Sequence, residues 1–444
     1  MKIVIAGAGE VGSHLAKLLS HEGQDIVLAD ADAAKLDPLD ANYNLLTVCG
    51  NPTSFATLRE AHAGDCDLFV AVTPYETNNL TACSIAKSFG ARRTVARIDN
   101  YEYMTPEVQP FFASHGIDRV IYPEYLAAAE IATALKRTWV RHWFEMWDGQ
   151  LILVGVKLRD NASIVGMQLK DFGRLGHNFH VSAIRRRHDT IIPRGDDRIL
   201  DGDIVYFMTP PDHLDALRTL CGKSQHSVRN VMITGASRIA IRLAAMLGDR
   251  YKLTVIDADR SRCEHMAERC PGVNVVCGDG RDNDLLADEG ISGMDAFVAL
   301  SDSSETNILT CLTAKEFGVA KTIAEVENIQ YIGEAETLNI GTVVNKKLLA
   351  AGAIFQQMLD SDSSNAKCMA LPDAEVAELE VRPGSKITRA AVKDLKLSHD
   401  MTIAGLTRDG RGQLVGGDTV ILPGDRVMVF CLNGAIHKVE RLFY

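Results

Sequence analysis

The sequence predicts an α/β protein with two doubly wound parallel sheets, each followed by a small α+β module. Three observations predict it. Short apolar runs alternate with amphipathic helical stretches, the alternating pattern occurs twice at one offset, and each occurrence leads into short strands separated by turn residues.

The repeat decides the architecture. Ile5-Ala6-Gly7-Ala8 is matched by Ile233-Thr234-Gly235-Ala236, 228 residues later. Cys49-Gly50 and Cys277-Gly278 keep that offset, as do Ala71-Val72-Thr73 and Ala299-Leu300-Ser301, and Phe89-Gly90 and Phe317-Gly318. The run Asp30 to Asp32 finds Asp257 to Asp259 with a slip of one residue. Many matches in order at one offset mark a duplicated unit.

Within the first copy, Lys2 to Ala6 is a short apolar run ended by glycine, which reads as a buried strand. Val11, Leu15, Leu18 and Leu19 then share one face of a helix. Asp25 to Ala29, Asp67 to Thr73 and Arg93 to Ile98 read as further strands, with a helix from Leu80 to Phe89. Strands separated by helices of this length give a parallel sheet. Leu151 to Leu158, Val181 to Arg185 and Ile204 to Met208 follow as short strands between turn clusters such as Pro193-Arg194-Gly195-Asp196. The second copy repeats that pattern with Met401 to Leu406 and Arg426 to Cys431. Ser361 to Asn365 reads as a linker into it. The expected domains are therefore residues 1–120, 140–222, 228–345 and 366–444.

Composition bounds the function. The chain has 444 residues, 46% hydrophobic and 24% charged, with a formal net charge of -11. That acidic balance argues against nucleic acid as a partner. No apolar run approaches the ~18 residues of a membrane span. The N-terminus enters the glycine motif at once, so no signal peptide and a cytoplasmic location are expected. The ten cysteines form no CxxC pair and are expected to be buried small hydrophobes rather than metal ligands.

The stretch Ala6 to Gly12, AGAGEVG, has the spacing G-x-G-x-x-G after a strand and before a helix. Gly7 permits the tight turn, Gly9 admits a pyrophosphate close to the backbone, and Gly12 lets the helix pack on the sheet. The helix N-terminus offers unpaired N–H groups to phosphate oxygens. Asp30, 18 residues after Gly12, ends the second strand, where a carboxylate takes ribose hydroxyls and repels a 2′-phosphate. Gly50-Asn51-Pro52, Thr73-Pro74 and Arg97 would face the same crevice. Thr73 reads equally as a turn or helix cap. Arg97 reads as a phosphate partner or as half of a surface ion pair.

The second copy departs from this. Ser237 replaces Gly9 and Ala240 replaces Gly12, while Gly235 and Asp257 are kept. Glu325 stands 228 residues after Arg97. An anion in place of a cation repels phosphate. The second crevice is expected to be empty, weak, or selective for a less charged ligand, with Arg238 as partial compensation.

A dehydrogenase with a nicotinamide cofactor is the enzymatic alternative. It needs an acid or base on a substrate domain, and the partner modules have ~80 residues or fewer. Arg185-Arg186-Arg187-His188 reads as a solvated hairpin tip, and His14 as a helix-surface residue. No Ser-His-Asp or metal-ligand spacing is found, so no catalytic or metal residue is assigned.

The order GAGEVG, DAD, CGN, AVTPYETN, ARI, a small β module and then a second copy resembles the TrkA family of Trk potassium-uptake proteins over the whole chain. These are tandem RCK (regulator of potassium conductance) units, each a Rossmann domain with a C-terminal companion. The resemblance implies a non-enzymatic regulatory subunit. It would form a homo-oligomeric ring, peripheral on the cytoplasmic face of the membrane, beneath a potassium channel or transporter of the TrkH/TrkG type. NAD(H), ATP or ADP would be its ligands. Gly7, Ala8, Gly9, Glu10 and Val11 would meet phosphates, Asp30 the ribose, and Thr73, Pro74 and Arg97 would complete the crevice. The matching positions are Gly235, Ala236, Ser237, Arg238, Ile239, Asp257, Leu300, Ser301 and Glu325. Some RCK companion domains bind an effector such as a cyclic dinucleotide, and Arg185 to Arg187 would be the cations for one here. The apolar faces Leu126 to Leu135 and Leu348 to Met358 would serve subunit contacts or core packing.

Overall fold

The computed structural model describes all residues except 21–23, 176–178, 188, 360–367, 372–373, 433–441 and 444. The expected linker at Ser361 to Asn365 lies outside them, as does His188. The chain divides into two compact units, Met1–Ala127 with Lys346–Asp362, and Ala128–Asn345 with Ser363–Tyr444.

The first unit holds a six-stranded parallel sheet. Its strands are β1 (Lys2–Ala6), β2 (Asp25–Asp30), β3 (Leu46–Cys49), β4 (Leu68–Ala71), β5 (Thr94–Arg97) and β6 (Arg119–Ile121), in the order β3-β2-β1-β4-β5-β6. The predicted strands all form, with ends moved by at most two residues. Ala6 pairs with Ala29 on one side and with Ala71 on the other. The carboxyl ends of β1 and β4 therefore lie side by side, at the point where the strand order reverses, and a crevice opens there. The helix Glu10–Ser20 buries Val11, Leu15 and Leu19. It also packs against the helix Lys346–Leu359, which comes from the end of the second copy and buries Ala350, Ala351 and Ile354. That helix face, one of the two candidate subunit contacts, thus packs within one chain.

The second unit repeats the parallel sheet with β12 (Asn230–Thr234), β13 (Lys252–Asp257), β14 (Asn274–Cys277), β15 (Ala296–Ala299), β16 (Lys321–Glu325) and β17 (Thr342–Val344), in the equivalent order β14-β13-β12-β15-β16-β17. It also holds two five-stranded antiparallel sheets. One is β7 (His142–Met146), β8 (Leu151–Lys157), β9 (His180–Arg186), β10 (Asp189–Ile191) and β11 (Ile204–Thr209). The other is β18 (Cys368–Leu371), β19 (Ala374–Glu380), β20 (Met401–Arg408), β21 (Arg411–Leu414) and β22 (Arg426–Leu432).

The two antiparallel sheets explain a feature of their sequences. Strand β11 is buried at every position, though an antiparallel strand with one wet face should alternate. Val205 and Phe207 point into a core with Leu217. Tyr206 and Met208 point the other way, into a core shared with Val376, Met428 and Phe430 of the second sheet. Each module covers the other, so both faces are apolar. Each module also carries a two-pronged ion pair. Arg186 Nε and Nη2 donate to the two oxygens of Asp203 at 2.9 and 2.8 Å, and Arg408 does the same to Asp425 at 2.9 and 2.7 Å.

The expected basic hairpin tip needs correction. Arg187 is exposed in the turn with φ of 55°. Arg185 is buried and paired with Glu336 at 2.8 Å, and Arg186 is taken by Asp203. Two of the three cations are thus committed to structural pairs. Among the described cysteine side chains, Cys49 and Cys277 are exposed at matching strand ends, while Cys66, Cys83, Cys221, Cys263, Cys270, Cys311 and Cys431 are buried.

Candidate nucleotide crevices

The first crevice is built on β1 and β4. Gly7 has φ of 113°, a conformation glycine adopts without strain, and a Cβ there would stand 2.9 Å from Thr73 N. A Cβ on Gly12 would stand 1.8 Å from the Gly7 carbonyl oxygen, so the helix lies against the loop only because the side chain is missing. A Cβ on Gly9 would meet nothing within 4 Å. The three glycines thus divide as the spacing predicts, into turn, open approach and close packing.

Asp30 holds the loop from beside it. Its Oδ2 accepts from Ala8 N–H at 2.6 Å and its Oδ1 from Asp32 N–H at 2.9 Å. The carboxylate anchors the backbone that would face phosphate while remaining partly exposed to a ribose. Glu10, exposed at the helix start, pairs with Lys347 of the packed helix. His14 is half-buried, and burial, with Lys17 nearby, lowers its pKa to about 4, so it is neutral at pH 7.

Thr73 is buried at the end of β4, and Pro74 beside it is exposed. Asn79, 1% exposed, ties this edge together. Its Oδ1 accepts from Thr73 N–H at 2.8 Å and from the Thr73 hydroxyl at 2.7 Å. Its Nδ2 donates to the carbonyls of Thr73 at 3.0 Å and Arg97 at 2.9 Å. Arg97 Nη2 pairs with Asp99 at 3.0 Å and Nη1 reaches the Thr73 carbonyl at 3.3 Å. Its side chain is 19% exposed. The guanidinium therefore stands beside the crevice, already half-committed to a local pair.

The second crevice keeps this frame. A Cβ on Gly235 would stand 2.5 Å from the Leu300 carbonyl carbon. Asp257 accepts from Ala236 N–H at 2.7 Å and from Asp259 N–H at 2.8 Å. Asn307 binds Ser301 N–H, the Ser301 hydroxyl and the Ser301 and Glu325 carbonyls at 2.7 to 2.9 Å. The lining differs. Ser237 caps the helix Arg238–Leu247 by accepting from Ala240 N–H, so one donor otherwise open to a ligand is used internally. Ile239 is buried, Arg238 exposed, and Glu325 is buried at the end of β16. Arg262 Nη2 reaches Asp302 at 2.6 Å, from the helix after β13 to the loop after β15. In the first copy the matching positions are Lys35, third in the helix Ala33–Asn42 as Arg262 is third in Arg260–Arg269, and Pro74.

The structure brings Gly7 to Val11, Asp30, Thr73 and Arg97 around one crevice, and their counterparts around another. Sequence reasoning missed Asn79 and Asn307, although they stand 228 apart, Asn79 directly after Glu76-Thr77-Asn78 and Asn307 at the end of Glu305-Thr306-Asn307. It also missed Lys347 and the Arg262–Asp302 pair. Among the described residues, no group of three or more His, Cys, Asp or Glu is arranged to hold a metal. No described helix is long and apolar enough to cross a membrane.

The comparisons follow the duplication. The TrkA-N domain matches residues 3–123 and 231–346, and the TrkA-C domain matches 153–222 and 376–444. The Trk system potassium uptake protein TrkA of Vibrio alginolyticus is 31% identical over 453 residues, which cover 100% of this chain and 98% of that protein. Trk system potassium uptake protein TrkA homolog 2 of Methanosarcina mazei is 30% identical over 454 residues, 100% of both. Among solved structures, the GsuK RCK domain superposes with a TM-score of 0.61 at 15% identity, over 100% of this chain and 94% of that one. The GsuK channel bound to NAD gives 0.61 at 15% identity, over 100% and 78%. With both domain types matched twice in alternation, the chain belongs to the TrkA family of Trk potassium-uptake proteins.

Proposed function

We propose that this chain is the nucleotide-sensing regulatory subunit of a membrane potassium-uptake channel or transporter. On this reading residues 1–120 and 228–345 are the nucleotide domains, and 140–222 and 366–444 their companions. The observation that carries it is the first crevice. Open space at Gly9, free helix N–H groups and the Asp30 carboxylate suit a dinucleotide or a nucleoside di- or triphosphate without a 2′-phosphate. Gly7, Ala8, Gly9, Glu10 and Val11 bind the phosphates, Asp30 the ribose, and Thr73, Pro74 and Arg97 close the pocket. NAD(H) and ATP or ADP are the ligands. The second crevice, at Gly235 to Ile239, Asp257, Leu300, Ser301 and Glu325, binds them weakly or not at all.

The mechanism is a shift of population. A nucleotide opens or closes the pore only through different affinities for two shapes of the assembly. The chain acts as a homo-oligomeric ring on the cytoplasmic face of the membrane, against a partner of the TrkH/TrkG type. No hydride transfer is part of this reading.

The test has two arms. Potassium flux is measured in membranes carrying the partner, with and without nucleotide. Asp30→Ala is expected to weaken nucleotide binding at least tenfold, about 1.4 kcal/mol, and to blunt the flux response. Wild-type affinity in calorimetry would overturn the assignment of Asp30. Consumption of NADH against a panel of 2-keto acids would restore the dehydrogenase alternative.

A further inference from the structure

A cavity of about 290 Å³ lies in the second unit, and its lining includes no residue of either glycine loop. Six cations line it: Arg141, Lys157, Arg159, Lys223, Lys315 and Lys321. They come from separate places in the chain. Arg141 immediately precedes β7, Lys157 ends β8, Arg159 follows it, Lys223 follows the helix Leu214–Leu220, Lys315 ends the helix Ser304–Glu316, and Lys321 opens β16. In a chain of net charge -11 this is a strong local reversal.

The partners of these cations are neutral. Lys321 is buried, and its Nζ donates to the Thr342 hydroxyl at 3.0 Å and the Val140 carbonyl at 3.3 Å. Lys315 Nζ donates to the Asn339 carbonyl. Arg141 donates to the Asn339 side-chain oxygen at 3.1 Å, and Lys157 to the Glu336 carbonyl at 3.2 Å. The Glu336 carboxylate itself is taken by Arg185 at 2.8 Å. Among the described residues, none of the six forms an ion pair with a carboxylate. Carbonyls and amides orient these charges without neutralising them. Clustered cations at low exposure are costly unless a counter-charge arrives.

We propose that this cavity binds an oligophosphate, a small anion with two or more linked phosphoryl groups. Size and charge both favour it. A cavity of this volume has room for about ten water molecules, more than a single phosphate fills. Six donors drawn from two domains match several phosphate oxygens at once. A ligand there would join the first antiparallel module to the second parallel sheet. The site stands independently of the nucleotide reading of the first crevice.

The electrostatics agree. Burial first, then Arg141 and Lys315, lowers the Lys321 pKa to about 7, against the opposing pull of Glu130. Burial, with Arg141 and Arg159, lowers Lys315 to about 8. The groups facing Lys321 are Glu130 from the helix Pro123–Lys136, Arg141, Lys315 and His142. Burial, with neighbouring cations, keeps His142 neutral, its pKa near about 4. Burial also raises the Glu130 carboxyl, against the pull of Lys321. An arriving anion favours protonated Lys321 and Lys315, whose pKa values are lowered to about 7 and about 8, so above those values binding takes up protons and tightens as pH falls.

Calorimetry on the full chain tests this with sodium tripolyphosphate, ATP and NADH as probes. Tripolyphosphate is expected to bind, and Arg159→Glu with Lys223→Glu, both partly exposed, to weaken it at least tenfold while NADH affinity holds. Lys321→Met is expected to weaken it and to reduce proton uptake to the share of Lys315, read from titrations in two buffers of different ionisation enthalpy. ATP binding that weakens in parallel identifies a nucleoside triphosphate as the source, and tripolyphosphate binding alone identifies an inorganic chain. Either supports the site. Tripolyphosphate affinity unchanged in both variants, or its displacement by NADH one for one, overturns it.

Discussion

The two nucleotide crevices share a frame and differ in lining. Asp30 and Asp257 clamp their loops through the same pair of N–H groups, and Asn79 and Asn307 tie their strand ends through the same four bonds. The lining that would meet a ligand has changed at Gly9 to Ser237, Arg97 to Glu325, and Pro74 to Asp302, which Arg262 pairs where the first copy has Lys35. The frame is what the fold needs, because a parallel sheet must end its strands somewhere with satisfied backbone groups. The lining is what a ligand needs. Retention of the first with change of the second is what the proposed weakening of one nucleotide site in a duplicated unit would leave behind.

The most severe way to break the comparison is Gly12→Ala. The added Cβ meets the Gly7 carbonyl oxygen, so the helix must lift from the loop. Overpacking of this kind costs about 1–3 kcal/mol, and nucleotide affinity should fall by about a hundredfold as the phosphate-facing N–H groups shift, about 2.7 kcal/mol. Isothermal titration with NADH reads it. Wild-type affinity would mean the loop relaxes without cost, as its counterpart accommodates Ala240.

Asn79→Ala and Asn307→Ala sharpen the comparison from the other side. Each leaves buried backbone groups unpaired, at about 1–3 kcal/mol. The two losses should be alike within about 1 kcal/mol, because the bonds match one for one. Denaturant unfolding monitored unit by unit measures both. A large Asn79 effect beside a negligible Asn307 effect would show that the frame has decayed with the lining.

Arg97→Glu imports the second lining into the first crevice. It removes one cation and adds one anion near the phosphates, and the Asp99 partner is left facing a like charge. A tenfold loss of NADH affinity, about 1.4 kcal/mol, is expected, larger at low salt than at high. A loss independent of salt would assign Arg97 a structural role only.

Much of this frame was legible in sequence, for a local reason. The glycine spacing, the strand before it and the acid after it sit within thirty residues, so periodicity and turn chemistry expose them. The offset of 228 carried that reading to the second copy. What stayed hidden depends on partners far apart in the chain. Arg185 looked like part of an exposed basic tip because Glu336, 151 residues on, is invisible to local pattern. The helix Lys346–Leu359 carries an apolar face, but nothing in that face says it lies on Glu10–Ser20. Asn79 stood directly after the Glu76-Thr77-Asn78 stretch, yet a polar residue in a helix carries no sign that its amide bonds four groups behind it.

The smallest expected effect bears most directly on why the second crevice differs. The Arg262–Asp302 pair is largely solvent-exposed, with side chains 41% and 74% accessible, so removing it should cost no more than about 0.5 kcal/mol of stability. Its position gives it another consequence. It links the segments after β13 and β15, between which a ligand lying over Gly235 would have to extend, whereas in the first copy Lys35 pairs with Asp32, the N-cap of its own helix, and Pro74 stands where Asp302 does. Arg262→Ala should therefore leave unfolding unchanged and open that passage, while the Glu325 charge remains. If the ion pair is the main obstacle, the variant gains a second equivalent of bound adenine nucleotide in calorimetry. If Glu325 dominates, stoichiometry stays at one until Glu325→Gln is added. Stoichiometry of one in the double variant would place the block in the loop itself, where Ser237 already uses the Ala240 N–H that its counterpart leaves open.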